Sequence, residues 1–448
     1  SRPRFIALSE FGPRNMIYHN GGRFQVEQLL FPDLEKQLTK AKISRNSGYI
    51  LMGDEYNWNV CPLTYVPLTS DAEREVVTDL MEMAETRTRE EARISCEEEE
   101  RLRQGYEIGT YFSVPAGVST IKMAHVKHDG ELFLRIRYIQ AARLVKINKR
   151  WKTSTEKGFQ LGMHSGRWKS ITRMQERQPE EPVRPVKLYT WDTADALYVE
   201  PIKALGLRPD GVITLQYALK RAIEDIFQVE SGEIGGELMG DLGTPNIFLY
   251  EAAEGSLGVL SQFMTNALTF KTVIEEAYKI CRFDDIAYKE LASYDDLLSY
   301  YNQRDHNKIN RFLIKDALQI LAKCEIELLT TDPQRTYDEQ YELLLNSYDK
   351  TSATEKRFLD FLYDNNLRLP DEAQKRVTDL YSQPDFYYHP DIYIFCDGTP
   401  HDAPDTKLHD QQIRDELRRQ GSQVLVYYYK DELADWVARR PDIFFKVR

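Results

Sequence analysis

Apolar positions along this chain change their period several times, and each change predicts a different element. Short apolar runs at 16–18 and 24–26 flank Asn20, Gly21 and Gly22, which predicts a β-hairpin. Between 71 and 104, Val76, Val77, Leu80, Met81 and Ala84 recur as one apolar stripe, so this region is expected to be helical, with the acidic run at 97–100 as its solvated face. Residues 106–170 alternate as antiparallel β-structure, most clearly across 131–138. The Pro- and Glu-containing stretch at 179–185 predicts a link between subdomains. Beyond it, an expected strand (186–190), helix (214–228) and apolar strand (246–250) suggest α/β packing, and 265–350 reads as mostly helix. From 353 onward the order is helix, strand, strand, turn, helix, strand, helix.

At 448 residues the chain has room for two to four domains, and its 42% hydrophobic and 29% charged content is that of a water-soluble globular protein. No run of about 18 apolar residues marks a membrane span, and no signal peptide is expected. The chain opens on Ser1-Arg2-Pro3-Arg4, so a processed product or a fragment is expected. Cysteines stand at 61, 96, 281, 324 and 396. None forms a C-x-x-C pair, which argues against a disulfide framework and a zinc knuckle and makes the cytoplasm the expected location.

The net charge of −12 excludes a uniformly basic nucleic-acid coat. Charge is unevenly placed, however. Residues 122–157 hold ten Lys/Arg against three acids. Arg143, Lys146, Lys149, Arg150, Trp151 and Lys152, with Arg167 and Lys169 beyond, would suit a surface that tracks phosphates and stacks bases. A solvated sheet face is the alternative. Gly255 and Gly258 follow the apolar strand, where a phosphate could approach the backbone. A tight turn without ligand is the simpler meaning, and no cation sits in that loop to balance a triphosphate.

The richest candidate chemistry lies near the end. Asp385 opens a β-branched and aromatic run, Asp397-Gly398 closes the next strand, and His401 follows. Upstream, Glu355 stands one turn before Phe358, Leu359 and Leu362, on the sheet-facing side of its helix. Acidic oxygens gathered at one end of a strand, with an imidazole to move a proton, suit a divalent cation and phosphodiester cleavage. Asp410 and Arg414 are spaced for an i, i+4 ion pair.

Two resemblances extend this reading. The blocks at 2–13, 93–106, 147–148 with 158–159, 250–255 and 298–306 resemble the region that follows the motor in large DEAD/DEAH-type superfamily 2 helicases carrying a MrfA-like zinc-binding domain, as in DNA repair and in anti-phage systems of the DISARM and Druantia kind. The resemblance covers roughly 1–320 and implies DNA and an ATP-dependent helicase motor as partners, in cis or as a separate subunit. Where that family pairs cysteines, this chain has Cys61-Pro62-Leu63 and Tyr294-Asp295-Asp296, so no zinc is expected. The sequence also contains no G-x-x-x-x-G-K-[ST], so no nucleotide motor is expected within it.

From 352 onward the order of Glu355, Pro384-Asp385-Phe386, Asp397-Gly398, His401 and the helix at 410–421 resembles the very-short-patch-repair endonucleases, a branch of the PD-(D/E)XK superfamily. That resemblance implies Mg²⁺ or Mn²⁺ at Glu355, Asp385 and Asp397, with His401 as a further catalytic group. No Lys follows two residues after Asp397, and Asp397 itself replaces a histidine of those enzymes. The expected fold class is therefore α/β: a mixed β-rich and helical helicase-associated region, then a restriction-endonuclease-like α/β domain. Expected boundaries are 1–185 (β-rich and helical), 186–345 (MrfA-like, with a degenerate zinc site) and 350–448 (nuclease-like). The expected function is helicase-linked DNA processing with metal-dependent cleavage. The alternative is a non-catalytic platform that binds DNA and docks a motor.

Overall fold

Two long strands dominate the architecture of the larger unit. A computed structural model describes residues 3–59, 61–64, 68–91, 105–115, 120–169, 181–241, 243, 245–253, 255–329, 337–374, 383–388, 392–398, 404–419, 422–440 and 443–447. The chain is mixed α/β and divides into two compact units, one formed by 1–56 with 74–331, the other by 57–73 with 332–448.

In the first unit, helix α1 (Arg4–Glu10) precedes strands β1 (Met16–His19), β2 (Gly22–Leu29), β3 (Thr39–Ser44), β4 (Ile50–Met52), β5 (Arg74–Glu82), β6 (Thr86–Glu91), β7 (Tyr106–Ser113), β8 (Thr120–His128), β9 (Glu131–Trp151), β10 (Phe159–Gly162) and β11 (Val183–Pro201). Helix α2 (Pro209–Phe227) leads to β12 (Ile234–Met239) and β13 (Asn246–Glu251), and helices α3 (Ala267–Ile280) and α4 (Lys315–Leu321) precede β14 (Glu325–Leu329). Strands β1, β2 and β6 make a small antiparallel sheet. An eleven-stranded sheet runs β14-β8-β9-β11-β5-β3-β4, with β7, β10, β12 and β13 attached beside it. The antiparallel ladder of β9 with β11 spans Leu188–Asn148 to Pro201–Leu134 with one register shift between Ala194 and Ala196, and β11 as a whole runs through position 185.

The β1–β2 hairpin forms as its sequence predicts. Asn20 (φ 47°) and Gly21 (φ 74°) both occupy the left-handed region that a tight two-residue turn demands. The helix expected over 71–104 is corrected: 74–82 and 86–91 are strands β5 and β6, and 92–104 lies outside the described residues. Asp79 adopts φ 56°, and the β3–β5 register shifts there, pairing Thr39 with Leu80 but Ala41 with Val77. This bulge puts Val77 and Leu80, three apart, on one buried face. A strand thereby acquires the spacing of a helical stripe.

Helix α2 buries Val212, Leu215, Ala218, Leu219, Ala222 and Ile223 against Ile136 and Leu134 of β9 and Leu197 and Val199 of β11, together with α3 and α4. Their combined removal from water, at about 25 cal/mol per Å² of apolar surface, is what holds the sheet to its helices.

The second unit contains α5 (Tyr337–Ser347), α6 (Ala353–Asp364), β15 (Glu372–Ala373), β16 (Phe386–Tyr388), β17 (Ile392–Asp397), α7 (Pro404–Arg419), β18 (Gln423–Tyr428) and α8 (Leu433–Ala438). Its sheet runs β15-β16-β17-β18. The first three strands meander antiparallel, and β18 lies parallel to β17 after the α7 crossover. The core is aromatic: Phe358 of α6 stacks on Phe386 and meets Trp436 and Phe444 edge-on. Among the described residues no helix is long and apolar enough to cross a membrane.

A candidate acidic site and its neighbours

Glu355 reaches its position because Ser352 caps α6 and accepts the Glu355 amide at 3.2 Å, and because the helix turns Glu355 inward with Phe358, Leu359 and Leu362. Asp385 lies immediately before β16. The two carboxylates converge. The side-chain amide of Gln374 donates to Glu355 Oε2 at 3.0 Å and to Asp385 Oδ1 at 3.3 Å. Main-chain amides complete the set: Asp349 donates to Glu355 Oε2 at 3.0 Å and Cys396 to Asp385 Oδ2 at 2.6 Å. Burial, and then the neighbouring Glu355 charge, push the Asp385 carboxyl up to about 7. Burial also raises Glu355. Gln374 holds φ at 54°, strained for a residue with a Cβ, while its own amide is fixed on the Asp385 carbonyl at 2.9 Å. Nothing in the sequence singled out Gln374, whose partners lie 19 and 11 residues away.

Asp397 does not join this pair. Arg414 of α7, expected beside Asp410, grips Asp397 through Nη1–Oδ2 at 3.0 Å and Nη2–Oδ1 at 2.5 Å, and its guanidinium lies 4.8 Å over the Phe395 ring. Both partners are buried, so the bidentate pair consumes the Asp397 charge. The expected grouping of Glu355, Asp385 and Asp397 is thus corrected: Asp397 is held by Arg414, and only Glu355 and Asp385 share a partner. His401 lies outside the described residues. Among the described residues, no three His, Cys, Asp or Glu side chains are grouped to hold a metal ion. A carboxylate pair still fits a hard cation of the kind that keeps several waters and takes one or two protein carboxylates.

The basic stretch is largely self-neutralised. Lys146 pairs with Glu237 (3.3 Å), Lys149 with Glu75 (2.6 Å), Arg150 with Glu107 (2.6 Å) and Lys169 with Glu181 (2.7 Å). Arg143 stacks 4.1 Å over Trp191. Trp151, expected to stack on bases, stacks on Tyr106 instead, with ring centroids 4.5 Å apart. Lys152 and Arg167 remain exposed. Cross-strand neighbours therefore absorb much of the charge that a local count assigns to DNA.

The glycine loop after β13 is also occupied from within. Gly255 (φ 85°) and Gly258 (φ 71°) shape it. The buried Glu251 carboxylate accepts the amides of Leu257 (2.5 Å), Gly258 (3.1 Å) and Leu260 (2.9 Å) and the Ser256 hydroxyl (2.9 Å). These are the donors a phosphate would need.

Around residues 281–311, buried polar groups tie the chain to itself. The Arg311 guanidinium donates to the carbonyls of Cys281 (2.9 Å), Arg282 (3.3 Å), Tyr288 (2.6 Å) and Glu290 (2.8 Å). Asp296 accepts the Ser293 amide (2.6 Å), the Leu297 amide and the Tyr288 hydroxyl.

One solved structure, a crystal structure of the DUF1998 helicase MrfA bound to DNA, matches at 12% identity with a TM-score of 0.32, covering 71% of this chain and 31% of that one. This chain thus spans about a third of that protein's length. No curated protein matches the sequence. Residues 215–327 match the family described as the MrfA Zn-binding domain. That match overturns the expectation of no zinc, since the stretch resembles a domain defined by zinc binding. Among the described residues of the stretch, no three His, Cys, Asp or Glu side chains are grouped around a common point. Cys281 and Cys324, the cysteines of the stretch, are both buried. What this establishes is similarity to the MrfA Zn-binding domain over 215–327, about a quarter of the chain.

Proposed function

We propose that this chain is a DNA-processing component of a helicase-linked repair or anti-phage defence system, and that its C-terminal unit cleaves phosphodiester bonds. One observation carries the reading: two carboxylates, the buried Glu355 from a helix and the half-buried Asp385 from a strand start, share a single neutral amide. Like charges so placed repel, and a divalent cation would relieve them. The meander of β15, β16 and β17, followed by the α7 crossover to parallel β18, supports a restriction-endonuclease-like core. The resemblance of 215–327 to a helicase-associated domain supports the motor context. The motor itself belongs to another segment or subunit.

A bound cation would supply Lewis-acid activation of water and charge neutralisation at the scissile phosphate. The chain's residues position it. The Cys396 amide fixes the Asp385 carboxylate, the Asp349 amide fixes Glu355, and the closed Asp397–Arg414 pair anchors the end of β17 beside them. That same pair favours a second reading, a non-catalytic DNA-binding platform, because it removes the third carboxylate from the site.

The test is nicking of supercoiled plasmid by the full chain in Mg²⁺ or Mn²⁺. Cleavage that disappears in Asp385→Asn and Glu355→Gln, with DNA binding retained, is the expected result. Cleavage unchanged in both variants would remove the acidic pair from the reaction. A wild-type chain that binds DNA with a steep salt dependence and cuts nothing establishes the platform.

A further inference from the structure

Gln374 is held between the two carboxylates against the preference of its own backbone. It lies opposite Asp385, one position beyond the Ala373–Phe386 pair of β15 with β16, and its main-chain amide donates to the Asp385 carbonyl at 2.9 Å. Its own carbonyl accepts the Gln383 side-chain amide at 3.1 Å. Both main-chain groups are thereby fixed with φ at 54°, where glycine fits without strain and asparagine with little. The chain carries a glutamine instead, and the longer side chain places Nε2 at 3.0 Å from Glu355 Oε2 and 3.3 Å from Asp385 Oδ1. Backbone strain that persists because its surroundings fix it is a pointer to function.

The bridge satisfies hydrogen bonds but not charge. A carboxamide is neutral, so it donates to each carboxylate and cancels neither. The Arg414 guanidinium is already committed to Asp397. A hard divalent cation takes oxygen donors, the carbonyls of side-chain amides among them. The two ends of a carboxamide are nearly equal in size, and the torsion that turns it is broad and two-fold. A half-turn about the Cγ–Cδ bond therefore exchanges Nε2 for Oε1 while the strained backbone of Gln374 stays where it is.

We infer that Gln374 is a third ligand for a divalent cation: its amide nitrogen braces Glu355 and Asp385 when no ion is bound, and its amide oxygen joins their oxygens on the ion. The inference rests on the acidic pair as a cation site, and it gives to a neutral residue the place expected of Asp397. Affinity separates a ligand from a brace. A group that touches the carboxylates only in the free chain stabilises the free state, so its removal leaves cation affinity unchanged or raises it. A group that also touches the ion stabilises the bound state, and its removal lowers affinity.

The full chain is titrated with Mn²⁺ alone, and the free ion is read by electron paramagnetic resonance. Gln374→Leu should weaken binding about tenfold. Gln374→Glu keeps an oxygen and adds a charge, so it should bind at least as tightly as the wild type. Circular dichroism and the unfolding midpoint check that Gln374→Leu is folded. Should it not be, Gln374→Asn is measured, since asparagine suits a positive φ and withdraws the amide by one methylene; it should weaken binding about threefold. Asp385→Asn and Glu355→Gln locate the site. Absence of Mn²⁺ binding in the wild type, or binding that survives both of those changes, would sink the acidic-pair reading and this inference with it. Binding that needs the pair yet is unchanged or tighter in Gln374→Leu, or weaker in Gln374→Glu than in Gln374→Leu, would make Gln374 a brace only and overturn this inference alone.

Discussion

Glu251 ends a strand and Asp385 immediately precedes one; the first is buried, the second half-buried, and the sequence marked the neighbourhood of each for possible chemistry. They differ in what meets their oxygens. Glu251 accepts three main-chain amides and a hydroxyl, enough to hold an anion without any cation. Asp385 accepts one main-chain amide and half of a shared side-chain amide, with another carboxylate across that amide. The first is satisfied by the fold, and the second is left with its proton affinity raised to about 7. A buried acid becomes chemically available when local donors fall short of its charge, not because a motif names it.

Removing Glu251 should therefore have the larger effect on stability. Glu251→Ala strands the amides of Leu257, Gly258 and Leu260, and the cost should be about 3–5 kcal/mol. Denaturant unfolding followed by circular dichroism checks this. A loss below about 1 kcal/mol would show that the loop finds other partners and that the contrast with Asp385 is overstated.

Asp397 lies between these cases, since its satisfaction comes from a cation. Arg414→Met leaves a buried carboxylate unpaired and should cost about 3 kcal/mol, whereas Asp397→Leu combined with Arg414→Met should cost about 1 kcal/mol or less. The difference between single and double variant measures whether the pair is closed, as the two short bonds indicate. If the single change is neutral, Asp397 is free to join the acidic pair after all.

Asp385→Asn should move stability the other way. It removes a half-buried like charge from beside Glu355 and keeps an acceptor for the Cys396 amide, so it should stabilise the second unit by about 1 kcal/mol while cleavage is lost. Destabilisation would mean that Asp385 is held for structure.

Several of these features were legible in the sequence, and the reasons are local. The Asn20-Gly21 hairpin announces itself because both residues suit positive φ. Glu355 was placed on the buried face of its helix by three apolar neighbours at helical spacing. In the second unit the expected succession of helix, strands, helix, strand and helix is found, but three strands rather than two precede the crossover helix, the short β15 being the one not expected. The structural misses are non-local. A bulge at Asp79 disguised β5 as helix, because one left-handed residue shifts the face of everything after it. The pairing of Asp397 with Arg414 crosses 17 residues, and Lys149 finds Glu75 across 74. Charge counted along the chain therefore predicted a DNA surface where the sheet had already matched most cations with acids. Gln374 carries no signature at all; only the fold brings its amide between two carboxylates.

Glu55 supplies the smallest and most exacting comparison, since it is an underserved acid in the larger unit with no catalytic assignment. Burial raises its carboxyl to about 7, against the opposing pull of Arg143 and a hydrogen bond with Tyr49. The folded state thus binds a proton that the unfolded chain, with an ordinary value of 4.5, has released. Between those two values the native state holds more protons, so stability from this group is complete below pH 4.5 and falls as pH rises toward 7. Solvent screening of a partly exposed side chain reduces the total to about 1 kcal/mol. Glu55→Gln should flatten the pH dependence of the first unit's unfolding midpoint across that window and leave it unchanged below pH 4.5. A slope that survives the substitution would assign the effect to another acid and leave Asp385 as the clearer example of a carboxylate whose surroundings fall short of its charge.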